Sequence, residues 1–239
     1  MRAIILAAGR GSRLKNLTKK EPKCFIKINT KPLIQHQIDA LKKNNINNIS
    51  AVVGYKKEKF KDLNIKRFYN KEWSNTNMVY SLFKAKNWLF RYDCLISYSD
   101  ILFDEKIIIE IKKKKQNLSL PFNKNWKKNW ILRYKNPLTD LETFKIKKKI
   151  LIEIGNTPKS YSEIDGQFMG LIKLSSSSSK KMYKIFNSLP NQLKKKIQFT
   201  KFLNTCIKKY NLKVYTYPIK NYWFELDNKR DLQVIKKNF

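Results

Sequence analysis

Histidine is nearly absent from the 239-residue chain, which holds His36 and no other. A histidine-based metal centre or a Ser-His-Asp arrangement needs imidazole partners that this sequence does not supply. His36 also lies off the apolar face traced by Leu33, Ile34, Ile38 and Leu41, so it reads as structural. Cysteine is scarce too: Cys24, Cys94 and Cys206 are odd in number, far apart and set among apolar residues. That pattern excludes a disulfide framework or a zinc site and predicts reduced, packed thiols. No stretch of about 18 apolar residues exists, and no N-terminal apolar segment leads to a cleavage site. The chain is therefore expected to be soluble and cytoplasmic, without membrane insertion. No internal repeat and no hexapeptide tail is present, so no appended acyltransferase is expected.

Acid is in short supply as well. Eighteen Asp and Glu face 52 Lys and Arg, a formal net charge of +34. Alone, this points to a polyanion partner. The lysines are spread along the whole chain among asparagines and isoleucines, however, and no zinc-finger spacing, RNP aromatics or heptads accompany them. They read as solvated faces, with no specific nucleic-acid partner and only loose binding at low salt.

Against this background one stretch stands out, Met1 to Lys23. Ala3–Ala7 is a short apolar run, the pattern of a central strand buried on both faces. It breaks at Ala8-Gly9-Arg10-Gly11-Ser12-Arg13, where two glycines let the backbone turn and present bare N–H groups to an anion. Arg13 adds a fork of donors for phosphate oxygens, and Lys23, after Pro22, adds a point charge. The P-loop spacing G-x-x-x-x-G-K-[ST] is not met, and the dinucleotide fingerprint fails because Leu14 stands where its third small residue belongs. A nucleoside triphosphate is the natural occupant of such a loop.

Strand and helix signals then alternate. Cys24–Ile28 reads as a short strand and Pro32–Lys43 as an amphipathic helix. Ile49–Val53 reads as a strand ending at Gly54, Lys56–Lys61 as a helical turn, and Ile65–Tyr69 as a strand. Such alternation predicts βαβ units in a mostly parallel sheet, with ligand at the carboxyl ends of the strands. Asn75–Asn77 resembles a cap opening a helix over 78–89, with Asn77 and Ser81 offering hydrogen bonds to a base edge or serving simply as cap and helix residues. Cys94–Tyr98 reads as a central strand with Asp100 at its carboxyl end. A carboxylate where phosphates gather is repelled unless a cation lies between, the setting for Mg²⁺; Asp104 competes but also suits a helix cap.

Leu118–Phe122 is a predicted strand, followed by a segment rich in tryptophan that departs from the βαβ rhythm. Lys149–Ile154 and Gln167–Leu174 follow as strands, and Ser175–Ser179 as a loop into a helix over 180–186. Phe199–Tyr210 reads as a helix and Lys213–Pro218 as a strand. Finally, Tyr222–Asp227 places Glu225 and Asp227 on one strand face, two like charges that are costly together unless a cation joins them. Capping of the helix over 228–237 is the competing role for Asp227.

Leu6-Ala7-Ala8-Gly9-Arg10-Gly11-Ser12-Arg13 with Pro22-Lys23 resembles the signature of the sugar-phosphate nucleotidyltransferase superfamily. The segments Trp73–Ser81 and Trp223–Asp227 are similar to its CTP:phosphocholine cytidylyltransferase branch. Residues 136–143, 153–155 and 161–171 are similar to the CTP:phosphoglutamine cytidylyltransferases of capsule synthesis. Asn16 replaces a common proline, and Ser99 stands where Ala or Gly is usual. The resemblance implies an α/β, Rossmann-like three-layer α/β/α fold with a mixed, mainly parallel sheet of the nucleotide-diphospho-sugar transferase type. It implies a single domain over 1–239, nucleotide bound by about 1–115 and acceptor by about 116–239.

The implied reaction is CTP plus a phosphorylated small molecule giving a CDP-linked product and pyrophosphate, for surface polysaccharide or lipid decoration. Lys23 and Arg13 would be catalytic. Leu6, Ala7, Ala8, Gly9, Gly11, Ser12, Gly54, Asn77, Ser81 and Ser99 would bind nucleotide, and Asp100, Asp227 and Glu225 would hold Mg²⁺. Trp126, Arg133, Glu142, Glu163, Gln167 and Trp223 are the acceptor-binding candidates. The alternatives are a sugar-1-phosphate nucleotidylyltransferase using UTP or TTP, and a basic RNA-binding or regulatory protein on a degenerate transferase fold. A homodimer is compatible with the sequence.

Overall fold

The computed structural model describes residues 1–239. Its first strand, β1 (Arg2–Ala7), is buried from Ala3 onward and lies between two parallel neighbours. A strand flanked on both edges and covered on both faces has no use for polar side chains, hence the run Ala3-Ile4-Ile5-Leu6-Ala7. The alternation is visible in the packing. Ile4 and Leu6 enter one apolar core, and Ala3, Ile5 and Ala7 enter the core on the opposite face.

In chain order, β2 (Lys27–Ile28) and β3 (Lys31–Pro32) form a small hairpin ahead of α1 (Leu33–Lys43), and β4 (Ile49–Val53) and β5 (Lys66–Tyr69) extend the sheet. Next come α2 (Met78–Leu82), α3 (Lys86–Leu89), β6 (Cys94–Tyr98), β7 (Ile101–Phe103) and α4 (Lys106–Lys113). The second half holds β8 (Leu118–Asn123), α5 (Trp126–Arg133), β9 (Phe144–Lys147), β10 (Ile150–Ile154), β11 (Gln167–Phe168) and β12 (Leu171–Leu174). It closes with α6 (Ser176–Ser188), α7 (Asn191–Lys196), α8 (Phe199–Tyr210), β13 (Tyr215–Ile219), β14 (Trp223–Glu225) and α9 (Lys229–Asn238). The main sheet runs β5-β4-β1-β6-β12-β8-β13-β10-β9, with β11 on β8. Its first four strands are parallel, as is the β8–β13 pair, while β12 inserts antiparallel between β6 and β8. This is the mixed, mainly parallel α/β sheet expected, and it is continuous across both halves of the chain. No helix is long and apolar enough to cross a membrane.

Four local expectations are corrected. Cys24–Ile28 is not one strand: Phe25 N–H donates to the Pro22 carbonyl and Ile26 N–H to that of Lys23, winding a 3₁₀ turn over Lys23–Phe25 before β2. The helix expected over 78–89 breaks into α2, a 3₁₀ turn at Phe83–Ala85 and α3. Gln167–Leu174 splits because Gly170 takes φ 71°, a left-handed conformation that ends β11 and lets β12 leave toward β6. The serine run is helical rather than a loop. Ser175 is the N-cap, accepting from Ser178 N–H, and the next four serines form the first turns of α6.

A third, smaller core joins Leu14, Ile26, Ile28, Leu33, Leu102, Leu226 and Ile235. It fastens the segment after the glycine loop to α1, β7 and α9, and so supports the site from below. The three cysteines are buried free thiols, and His36 Nε2 donates to the Ile28 carbonyl at 3.2 Å.

Candidate active site

The glycine loop leaves β1 at its carboxyl end. The N–H groups of Gly9, Arg10 and Gly11 make no backbone hydrogen bond, and space is open above Gly9. Such a row of unpartnered amides is a cradle for an anion. Gly11 has φ 74°, and a Cβ there would lie 2.7 Å from Lys23 Cβ, so the loop and the lysine arm touch through a missing side chain. Gly11→Ala is therefore expected to cost about 1–2 kcal/mol in backbone strain alone and to displace Lys23. The check is a lower melting temperature together with a loss of turnover larger than the stability change explains. Leu6, Ala7 and Ala8 are buried, and the Ala8 carbonyl accepts from Tyr55 N–H at 2.9 Å. These three shape the loop through backbone, not side chains. Gly54 is required for the same contact, since its Cβ would stand 2.6 Å from the Ala8 oxygen. Ser12 is exposed at the loop's far side.

Lys23 is the electrostatic centre. Its Nζ lies 2.5 Å from Asp100 Oδ2 and 2.9 Å from Asp227 Oδ1, and Arg13 Nη1 lies 3.1 Å from Asp227 Oδ2. Burial opposes charge on Lys23, but the two carboxylates outweigh it and hold the ammonium well above its ordinary pKa. Burial likewise opposes ionisation of Asp227, and Lys23 and Arg13 overcome it, holding the carboxyl below its ordinary range. Glu225 moves the other way: burial, then repulsion from Asp227, raises its pKa, with Arg133 opposing.

Asp100, Glu225 and Asp227 offer oxygens that all lie within 4.8 Å of one another. Asp100 Oδ1 is buried with no hydrogen-bond partner. A buried carboxylate oxygen without a donor, in an all-oxygen set, fits a hard divalent cation such as Mg²⁺. The convergence has two structural causes. First, β14 pairs antiparallel with β7, setting Glu225 opposite Ile101, and Leu226 N–H donates to the Asp100 carbonyl at 2.8 Å. Second, Gln37 Nε2 donates to the Tyr98 and Ile101 carbonyls at 3.0 and 2.7 Å, stapling the turn that carries Ser99 and Asp100. Asp227 is not the helix cap. Asn228 caps α9 in a capping box with Asp231. Asp104, in contrast, does accept from Lys106 N–H at the start of α4.

A cleft of about 390 Å³ opens beside the carboxylates, lined among others by Arg13, Asn77, Trp130, Asp140, Glu142 and Gln167. Of the sequence candidates, Arg13, Asn77, Glu142, Gln167, Glu225 and Asp227 thus reach it. Asn77 also caps α2, its side chain accepting from Met78 N–H. Ser81 is buried, accepts from Asn70 Nδ2 at 3.0 Å and does not line the cleft. Trp126 is buried against Tyr161, and Glu163 accepts from Lys159 N–H at 2.7 Å outside the cleft. Trp223 donates from Nε1 to the Met169 carbonyl and stacks behind Trp130 at 6.1 Å, backing the wall rather than forming it. Arg133 is buried, with Nε 2.8 Å from Asp231 Oδ1 and Nη1 3.4 Å from Glu225 Oε2, so its charge is already matched.

Residues that sequence reasoning passed over include Asp140, whose Oδ2 accepts from Trp130 Nε1 at 3.1 Å, and the rings of Phe168 and Phe199, stacked 6.0 Å apart on the cleft wall. Gln37 and Asp231 were also passed over. The spacing Asn228-x-x-Asp231 signals a cap and nothing more, and Gln37 sits on a helix whose sequence gives no sign of a buried amide.

Residues 3–116 match the model of the MobA-like NTP transferase domain. The chain is 35% identical over 250 aligned positions, 98% of each chain, to the CTP:phosphoglutamine cytidylyltransferase of Campylobacter jejuni subsp. jejuni serotype O:2. It is 43% identical over 90 residues, 36% of this chain and 39% of the other, to the choline-phosphate cytidylyltransferase of Streptococcus pneumoniae. Its fold is similar to that of the inositol-1-phosphate CTP transferase from T. maritima, with a TM-score of 0.78 at 19% identity over 99% and 95% of the two chains.

Proposed function

The chain belongs to the sugar-phosphate nucleotidyltransferase superfamily, in its cytidylyltransferase branch, and from that premise we propose that it joins CTP to a phosphorylated small molecule bearing an ammonium group, releasing pyrophosphate. The observation that carries this reading is the meeting of Lys23, Arg13 and three carboxylates beside a cleft whose walls are acidic and aromatic. The N-terminal half would hold the nucleotide, and the C-terminal half the acceptor.

The acceptor's phosphate oxygen forms a bond to the α-phosphorus of CTP as the bond to the β-phosphate oxygen breaks. No general base is needed, since a phosphate monoester with second pKa near 6 is largely dianionic at neutral pH. The lone histidine is thus no obstacle. Catalysis rests on positioning and charge neutralisation. The Gly9, Arg10 and Gly11 amides receive the terminal phosphates, Arg13 holds the departing pyrophosphate, and Lys23 neutralises charge growing on the α-phosphate. Asp100, Asp227 and Glu225 would hold Mg²⁺, which when bound supplies Lewis-acid neutralisation of the phosphates. Gly54 and Asn77 would border the base and ribose, and Ser99 would bind the nucleotide.

For the acceptor head group, Asp140 and Glu142 supply negative charge, and Phe168 and Phe199 supply aromatic surface suited to a cation. The full-length likeness to a phosphoglutamine enzyme supports an amino-acid phosphate; phosphocholine is the related choice. The CDP-linked product would serve surface polysaccharide or lipid decoration. The test is pyrophosphate release with Mg²⁺ and each of CTP, UTP, TTP and ATP against phosphoglutamine, phosphocholine, aminoethylphosphonate and glucose 1-phosphate. Release with CTP and one of the first three is expected. Release only with UTP or TTP and the sugar phosphate would move the chain to the sugar branch.

Glu142 gives a separate check. Burial raises its pKa, partly offset by the hydrogen bond from Thr200 Oγ1 at 3.0 Å. An acid with a raised folded pKa penalises folding once pH exceeds its unfolded value, about 4.3. Glu142→Gln keeps an acceptor for Thr200 and removes that penalty. The variant should melt higher than wild type at pH 7 but equally near pH 4, while its KM for the ammonium-bearing acceptor rises about tenfold, the loss of one charge-assisted contact. An unchanged KM would remove Glu142 from acceptor recognition.

A further inference from the structure

Asp231 has no exposed surface, lies in the first turn of α9 and uses both carboxylate oxygens. Oδ2 accepts from Asp227 N–H at 2.8 Å and from Asn228 N–H at 3.0 Å. Arg133 grips the same group, Nε on Oδ1 at 2.8 Å and Nη2 on Oδ2 at 3.3 Å. A capping box needs only the bond to the Asn228 amide. The bond to the Asp227 amide lies outside that requirement, and it fastens the residue whose side chain faces Lys23, Arg13 and the other two carboxylates.

We propose that Asp231 is a positioning residue for the cation site: its buried carboxylate fixes the backbone of Asp227, so that only side-chain torsions remain to aim that carboxylate at Asp100 and Glu225. The proposal rests on the reading of Asp100, Glu225 and Asp227 as a cation site. Two features support it. The anchor is a charge held by a bidentate guanidinium, stiffer than a neutral cap. Asp100 Oδ1, in the cluster that the Asp227 carboxylate faces, is also buried with no hydrogen-bond partner, whereas both Asp231 oxygens are held by Arg133 and backbone amides. Asp231 is therefore matched within the protein by Arg133, which leaves the convergent oxygens for a cation. Residues that orient metal ligands in this way typically alter metal affinity about 10–100-fold when replaced.

The experiment is Mn²⁺ titration by calorimetry on wild type, Asp231→Asn and Asn228→Ala, with melting temperatures and steady-state kinetics. Asp231→Asn should bind Mn²⁺ about 10–100-fold more weakly, and kcat should fall more than KM for CTP changes. Asn228→Ala removes the cap of the same helix, so it should lower the melting temperature yet bind Mn²⁺ as wild type does. Equal Mn²⁺ affinity in wild type and folded Asp231→Asn overturns the proposal. Equal weakening by Asn228→Ala also overturns it, because helix integrity would then explain the effect. Should Asp231→Asn fail to fold, amide exchange in wild type decides: slow exchange at Asp227 and Asn228 supports the anchor, and fast exchange refutes it. No Mn²⁺ binding by wild type would remove the cation site and the proposal with it, an outcome distinct from equal binding by both.

Discussion

Replacing Lys23 with alanine is expected to lower turnover by about 10²–10³-fold, the usual loss when a charge-stabilising donor leaves a transition state. The same change should make stability depend on divalent cation. Lys23 Nζ bridges Asp100 Oδ2 and Asp227 Oδ1 at 2.5 and 2.9 Å. Its removal leaves two poorly solvated carboxylates facing each other. Breaking a buried pair costs about 3–5 kcal/mol, and a chain of this size loses about 2–4 °C per kcal/mol. The melting temperature without divalent cation should thus fall by roughly 6 °C or more, and Mg²⁺ should restore part of it. At neutral pH the full contribution of Lys23 is in place, because a raised folded pKa means loss only as pH climbs through that value, above about 10.4. Undiminished turnover would take the lysine out of the transfer step. A melting temperature of the variant indifferent to Mg²⁺ would sink the cation reading of Asp100 and Asp227.

Asp227→Asn is expected to be more severe for activity. Asparagine keeps the shape but removes the charge that faces Lys23, Arg13 and the cation. The loss of several kcal/mol of charge stabilisation corresponds to a fall on the order of 10³-fold or more in Mg²⁺-dependent turnover. Excess Mg²⁺ should recover little of it. Stability should respond in a defined pH window. The folded pKa of Asp227 is depressed, so its contribution is present above its unfolded value, about 3.9, and is lost as pH falls through the lower folded value. The variant should therefore lack that acid limb of the wild-type stability curve. Pyrophosphate release against Mg²⁺ concentration, with melting curves between pH 2 and 7, checks both parts. A variant that loses stability but keeps its Mg²⁺-dependent turnover would return Asp227 to a structural role.

Local pattern carried a good deal of this. The apolar run Ala3–Ala7, the glycine turn and Lys23 are contiguous, and a buried parallel strand followed by a bare-amide loop permits few alternatives. The strands over 49–53, 94–98 and 118–122 and the helices over 32–43 and 199–210 were legible for the same reason: each has a period or an apolar run that solvent enforces. Where expectations failed, hydrogen bonds invisible to periodicity decided the outcome. Pro22 and Lys23 carbonyls wound a turn out of an expected strand, and a left-handed Gly170 cut another in two.

Sequence by itself therefore determined the loop, the identity of the charged residues and the alternation that makes the sheet, because each depends on neighbours within a few positions. Only the tertiary structure decided which charges meet. Pairing of β14 with β7 brings Glu225 and Asp227 to Asp100 across more than 120 residues of chain. The same packing closes Arg133 onto Asp231 and seats Trp223 behind Trp130, while Asp140 and Glu142 are left facing the cleft. Those assignments follow from which buried charges find a partner when the elements pack, a quantity that no stretch of sequence carries alone.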